Sequence, residues 1–200
     1  METKLPVMES FYTIQGEGTN TGQAAYFIRL GGCDVGCVWC DVKESWDAHM
    51  HPLRNISELV AEINSLKAKT VVITGGEPLM YDLSQLTSNL KNHGKKILLE
   101  TSGAYPLSGE FDWICVSPKK FKSPISEVLN KADELKVVVY HASDLLWAQS
   151  FVNSLKHGCK LLLQPEWSKE KTMLPLIIDF VKDNPEWRIS LQTHKYMNIP

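Results

Sequence analysis

Three cysteines fall within eight residues of one another, Cys33, Cys37 and Cys40 in "GGCDVGCVWCD", a C-x3-C-x2-C spacing too tight for thiols that merely fill a core. Thiolates placed so closely are suited to holding a soft metal. Two arrangements fit the spacing. A structural zinc ion takes four protein ligands, and His49 or His51 stands near enough in sequence to supply the fourth. Alternatively, three thiolates hold a 4Fe-4S cluster and leave one iron open to a ligand that takes part in chemistry. The other two cysteines, Cys115 in "DWICVS" and Cys159 in "CKLLLQ", lie in apolar runs and read as small buried hydrophobes.

Elsewhere the residues suited to binding come in short polar groups: "TGGEP" (74–78), "ETSG" (100–103), "SPK" (117–119), "QPE" (164–166) and "QTHK" (192–195). Each closes an apolar, β-prone run, as "GGCDVGC" closes "AAYFIRL" (24–30). The other runs are "TVVIT" (70–74), "KILLET" (96–101), "DWICVS" (112–117), "ELKVVVY" (134–140), "CKLLLQ" (159–164) and "WRISLQ" (187–192). They are continuous rather than alternating, the pattern of strands buried on both faces. Between them lie helical periodicities. "ISELVAEINSL" puts Ile56, Leu59, Val60, Ile63 and Leu66 on one face, and "DLSQLTSNLKNHG" has Asp82 as cap, Leu83, Leu86 and Leu90 as stripe and Gly94 as stop. Further helices are expected over 143–157 and 169–183. Strands alternating with helices imply an α/β fold with a parallel sheet, either doubly wound or a partial barrel. In a barrel the strand ends converge on one mouth, which would gather the scattered polar groups into one pocket. The glycine pairs in two of them would let backbone approach a ligand closely.

The chain of 200 residues is 44% hydrophobic and 22% charged, enough for one buried core, and a single domain over 1–200 is expected. There is no repeat and no linker-like tract. The formal net charge is -2, with lysines and acids interspersed, so no basic face argues for nucleic acid and the expected partner is a small molecule. No run of ~18 apolar residues suggests a membrane span, and the N-terminal "METKLPVMESFYTIQGEG" lacks the pattern of a targeting segment. Five cysteines, three of them clustered, favour metal over disulfides and a reducing, cytoplasmic setting.

"CDVGCVWC" with "TGGEP" downstream resembles the radical S-adenosylmethionine (SAM) superfamily. Within it, "TIQGEG", "FIRLGGC", "CDVKESWD", "LETSG", "SPK", "LQPE" and the ending "SLQTHKYMNIP" resemble the family of 7-carboxy-7-deazaguanine synthases over nearly the whole chain. The resemblance implies a partial parallel β/α barrel of the radical SAM type. It also implies a 4Fe-4S cluster on Cys33, Cys37 and Cys40 whose open iron is chelated by SAM. Cleavage of SAM then yields a 5'-deoxyadenosyl radical, which takes a hydrogen from C6 of 6-carboxy-5,6,7,8-tetrahydropterin. The ring contracts, ammonia leaves and 7-carboxy-7-deazaguanine forms, on the way to queuosine-type nucleosides. No side chain is required as acid or base, and His194 reads as a structural histidine.

On the SAM side the resemblance implies Thr74, Gly75, Gly76 and Glu77, with Glu77 accepting from the methionyl amine. It adds Trp39, Cys40 and Asp41 by stacking and backbone contact, Gly103, Ser117, Pro118 and Lys119 near ribose and carboxylate, and Gln164, Pro165, Glu166 and Trp167 toward the adenine. For the pterin it implies Ile14, Gln15 and Gly16 at the ring edge, Arg29 as a planar partner for the carboxylate, Thr101 as a hydroxyl donor, and a tail, 193–200, that folds over the site and brings Pro200 to it. Several of these have plainer uses. Glu77 suits a helix start beside Pro78, Trp39 loop packing, Lys119 a solvated charge, Arg29 a surface ion pair and Thr101 a strand end; the tail, with no helical pattern, suits a frayed terminus.

One position departs from the family. Two residues after the third cysteine it usually has Ser or Thr, whose hydroxyl helps hold Mg²⁺; here Val42 stands there, so a Mg²⁺ site would have one protein oxygen fewer and lean on substrate, water and Asp41. A low-potential electron donor such as flavodoxin or ferredoxin is implied, and the open edges of an incomplete barrel suggest a homodimer. The competing functions are a glycyl-radical activase acting on a protein partner and a binding module stabilised by zinc.

Overall fold

The computed structural model describes residues 3–200; Met1 and Glu2, the first two residues of the N-terminal stretch read above, lie outside the described residues. Strand β1 (Lys4–Ile14) turns through residues 15–23 into β2 (Ala24–Leu30) as an antiparallel hairpin, and β3 (Leu53–Asn55) pairs with the other edge of β1. There follow α1 (Ile56–Asn64), β4 (Thr70–Gly75), α2 (Ser84–Asn92), β5 (Lys96–Thr101), β6 (Trp113–Val116), α3 (Ser126–Leu129) and β7 (Glu134–Val139). The chain ends with α4 (Ser143–Gln149), β8 (Lys160–Pro165), α5 (Glu170–Asp183), β9 (Trp187–Ile189) and α6 (Thr193–Met197). One sheet has the order β3-β1-β2-β4-β5-β6-β7-β8-β9, with every pair from β2 to β9 parallel. It does not close on itself, which makes it the expected partial barrel.

All seven apolar runs are strands of this parallel portion. Their continuity conceals a strict alternation. Val71 and Ile73, Ile97 and Leu99, and Leu135, Val137 and Val139 belong to a large outer core shared with the helices. The residues between them face inward, where Ala25, Val72 and Leu98 pack with Phe27 and Trp113 in a second, smaller core. The inner face of β7 carries Glu134 and Lys136, both almost fully buried.

Helix α1 buries Ile56, Leu59, Val60 and Ile63, the i, i+3, i+4, i+7 stripe that its sequence predicts, but it ends at Asn64 and leaves Leu66 exposed. In α2 the Asp82 carboxylate accepts from the Ser84 amide and Gly94 ends the turn at φ +67. The expected helix over 143–157 is shorter, α4 followed by a 3-10 turn at Val152–Ser154. The tail is not frayed: residues 193–197 form α6, ended by Asn198 in the left-handed region at φ 53. No helix among the described residues is long and apolar enough to cross a membrane.

Candidate active site

The C-terminal ends of the strands open into a cavity of about 270 Å³. Its walls include Cys33, Cys37 and Cys40 from the loop after β2, Thr74, Gly75 and Gly76 from the end of β4, and Thr101 from the end of β5. Ser117 and Lys119 follow β6, Gln164 and Pro165 end β8, and Glu166 and Trp167 follow it. Ile14, Gln15, Gly16 and Arg29 come from the β1–β2 hairpin, Trp39, Asp41 and Val42 from the cysteine loop, and Pro200 from the tail. The topology thus brings most of the expected positions together.

Three of those positions lie off the wall. Glu77 is fully buried, with Oε1 accepting from the Leu79 amide (3.0 Å) and the Thr101 hydroxyl (2.6 Å), and Oε2 from the Ser102 amide (2.8 Å) and hydroxyl (2.5 Å). Its carboxylate thus accepts from four of the chain's own donors and ties the end of β5 to that of β4. Gly103, at φ +78, turns against Val116 and Pro124, where a Cβ would come within 3.0 and 3.1 Å. Pro118 is buried between Ser117 and Lys119. The Thr101 hydroxyl is also committed, donating to Glu77 and accepting from the Gly103 amide (2.9 Å).

The glycines after β4 have a use the sequence reading did not anticipate. The Gly76 amide donates to the Leu30 carbonyl and the Glu77 amide to that of Gly32. A Cβ on Gly76 would stand 2.2 Å from the Gly32 oxygen and 2.9 Å from Cys33 Cβ. The pair lets the cysteine loop itself pass close to β4.

The donor set fits a cluster better than a single ion. All five cysteines are free, and burial pushes the Cys33 thiol up and that of Cys37 to about 11. Among the described residues no three His, Cys, Asp or Glu side chains converge closely enough to hold one metal ion. His49 is exposed, and His51 Nε2 contacts the Glu44 carbonyl at 2.8 Å. Three thiols that share a cavity wall without meeting at a point suit a cluster, each binding its own iron. Beside them Lys119 Nζ donates to the Ser117 carbonyl (2.7 Å) and hydroxyl (2.5 Å), 5.6 Å from the Trp39 ring centre. Removal from water lowers the Lys119 ammonium from its ordinary value.

On the hairpin side Arg29 Nε donates to Glu9 Oε1 (2.6 Å), and among the described residues its Nη groups have no protein partner. Gln15 is buried, donating to Glu100 Oε1 (2.9 Å) and accepting from the Glu17 amide (3.1 Å). Glu17, Glu100 and Lys136, all on the wall, were not expected. Lys136 pairs with Glu17 and, at 3.0 Å, with Glu100. Burial would lower Lys136, but Glu100 and Glu17 outweigh it and hold the ammonium well above its ordinary range. Burial would likewise raise Glu17; Lys136, Gln192 and Gln164 reverse this and hold its carboxyl at about 2. A lysine two residues after a glutamate in an otherwise apolar run, "ELKVVVY", was the available signal. Asp41 meets the tail through Lys195 (3.2 Å), and Trp167 stacks edge-on with Tyr196.

An open parallel barrel with three cysteines and a Gly-Gly strand end at its mouth has the architecture of the radical SAM enzymes, and the radical SAM superfamily profile matches residues 27–141. The chain is 54% identical over 196 residues to the 7-carboxy-7-deazaguanine synthase of Flavobacterium psychrophilum, covering 98% of this chain and 93% of that protein. It is 48% identical to the enzyme of that name from Synechocystis, covering 97% and 93%. The crystal structure of QueE from Escherichia coli superposes with a TM-score of 0.82 at 32% identity, over 94% of this chain and 93% of that one. The chain belongs to the 7-carboxy-7-deazaguanine synthase family.

Proposed function

We propose that the protein converts 6-carboxy-5,6,7,8-tetrahydropterin into 7-carboxy-7-deazaguanine with loss of ammonia, as a radical SAM lyase of queuosine-type nucleoside biosynthesis. The observation that carries this reading is a single cavity bordered on one side by three free thiols and on the other by a polar set from the β1–β2 hairpin. When bound, a 4Fe-4S cluster and SAM supply a carbon-centred radical able to take hydrogen from an unactivated C–H bond. The chain's own residues then bind and orient. Cys33, Cys37 and Cys40 would hold the cluster, Thr74 to Gly76 with Ser117 and Lys119 would border SAM, and Trp39 and Trp167 offer aromatic faces. Arg29, its Nε fixed by Glu9, presents its Nη groups to a carboxylate, while Gln15 and Gly16 address the ring edge.

Mg²⁺ is assigned at most a supporting role, because Val42 lines the cavity without an oxygen to offer from its side chain. A flavodoxin- or ferredoxin-type donor, a homodimer, a cytoplasmic location and a single domain over 1–200 whose segment 193–200 closes the mouth complete the reading. Anaerobic incubation of the reconstituted protein with SAM, a low-potential reductant and the carboxytetrahydropterin is expected to give a product lighter by the mass of ammonia. Cleavage of SAM with the pterin recovered unchanged would contradict it.

A further inference from the structure

The hairpin loop that carries Gln15, Gly16 and Glu17 onto the cavity wall belongs to no strand, yet the substrate side of the site depends on where it lies. Three side-chain or tail partners hold its backbone. The Gly16 carbonyl accepts from the Thr193 amide and hydroxyl, each at 2.9 Å. The Gly18 amide donates to the Ser190 hydroxyl at 2.9 Å, and the Thr19 amide donates to Glu134 Oε2 at 2.9 Å. The first two partners follow β9, a strand of three residues at the edge of the sheet. Among these backbone anchors only Glu134 belongs to an interior strand, β7, paired on both sides, while the side chains of Gln15 and Glu17 reach Glu100 of β5 and Lys136 of β7.

Glu134 is 2% exposed and forms no ion pair among the described residues. It stands in register with Cys115 and Glu100, so the three side chains face the same way across β5, β6 and β7. Oε1 accepts from the Cys115 thiol at 3.4 Å. Burial raises Cys115 well above its ordinary value, which keeps it a thiol and a donor, so it is more than the small hydrophobe its sequence suggested. The loop comes so close that a Cβ on Gly18, at φ +70, would stand 2.2 Å from Glu134 Oε1. A buried carboxylate is costly unless donors meet it, and here one donor is the loop's own backbone.

We propose that Glu134 is a positioning residue for the substrate side of the cavity: anchored on the rigid β7, it holds the Thr19 amide and so sets Gln15, Gly16 and Glu17 at the height a ring edge requires. The inference rests on the function proposed above and adds to it a residue that does not itself line the main cavity. Supporting groups of this kind act through the residues they hold, and their loss appears in substrate binding before it appears in chemistry.

The test is steady-state kinetics on the reconstituted protein and three variants, with melting temperature and cluster absorbance recorded for each. Glu134→Ala is expected to raise the KM for the pterin about tenfold with kcat changed less than about threefold. Glu134→Gln keeps an oxygen for the Thr19 amide and should return KM to within about twofold of the parent. Gly18→Ala, which pushes the loop off the carboxylate, should raise KM as Glu134→Ala does, and it decides the matter if Glu134→Ala is recovered without its cluster. A KM unchanged in Gly18→Ala and in any folded Glu134→Ala would overturn the proposal. So would equal losses of melting temperature, cluster and kcat that Gln does not restore, since those mark a merely structural residue. A parent that gives no ring-contracted product would instead sink the functional reading, and the proposal with it.

Discussion

Arg29 has room for two uses at once. It makes the sheet ion pair that its position on β2 suggests, and that pair takes only Nε, so the Nη groups remain for the substrate carboxylate proposed above. Arg29→Lys should therefore raise substrate KM by roughly 10- to 100-fold, the equivalent of about 1.5–3 kcal/mol for a charged hydrogen bond, with a smaller effect on SAM cleavage in the absence of substrate. Equal loss of both, measured as 5'-deoxyadenosine released with and without pterin, would make the arginine purely structural. At Val42 the expectation is a turnover that responds weakly to Mg²⁺ after chelation, and a steeper response in Val42→Thr, which restores one hydroxyl oxygen. A steep requirement in the parent, unchanged by the substitution, would show that the metal does not depend on this position. That Cys33, Cys37, Cys40 and Arg29 would share one cavity wall was legible in the sequence from their place at or beside strand ends. The protein partners of Glu77 were not, because Thr101 and Ser102 stand 24 and 25 residues away from it in sequence.

The strand ends, the loops after them and the hairpin make the site, and their close packing sets what they tolerate. Gly76→Ala would force its Cβ against the Gly32 carbonyl and Cys33, so the cysteine loop should shift and the reconstituted protein should lose most of its iron and its brown colour while far-ultraviolet circular dichroism stays native. Iron content equal to the parent's would show that the loop has slack the packing does not suggest. The seven parallel strands could be read directly because each is an apolar run of the right length. Strand β1 could not: "KLPVMESFYTI" mixes polar residues with Pro6 and is irregular between Val7 and Glu9. Pro6 is tolerated because it pairs with the short β3, and the irregularity falls where β1 begins its pairing with β2. Helix α6 was equally hidden, five residues held by Lys195–Asp41 and by Tyr196 against Trp167 rather than by its own periodicity.

At the scale of the whole molecule, the open barrel joins an outer core of helices and strands to an inner face that is apolar at Val72 and Leu98 and charged around Lys136. That charge has a consequence for stability. Glu17, near 2 in the folded protein against 4.5 for a free side chain, takes up its proton more readily when unfolded, so its contribution is complete above about 4.5 and is lost as pH falls toward 2. Melting temperature should fall across that window, and Glu17→Gln should flatten that part of the fall; an identical profile would mean that the pair with Lys136 gives no net stability. The same inner face closes the cavity in which the proposed chemistry occurs. The most direct measurement of that chemistry uses pterin deuterated at C6 with SAM and reductant under anaerobic conditions, following product and 5'-deoxyadenosine by mass spectrometry. Loss of ammonia is redox-neutral, so the hydrogen taken from C6 has to be replaced. The account predicts ring-contracted product with deuterium recovered in 5'-deoxyadenosine or in SAM re-formed when that hydrogen is returned; product with deuterium in neither, or labelled pterin recovered intact while SAM is consumed, would contradict it.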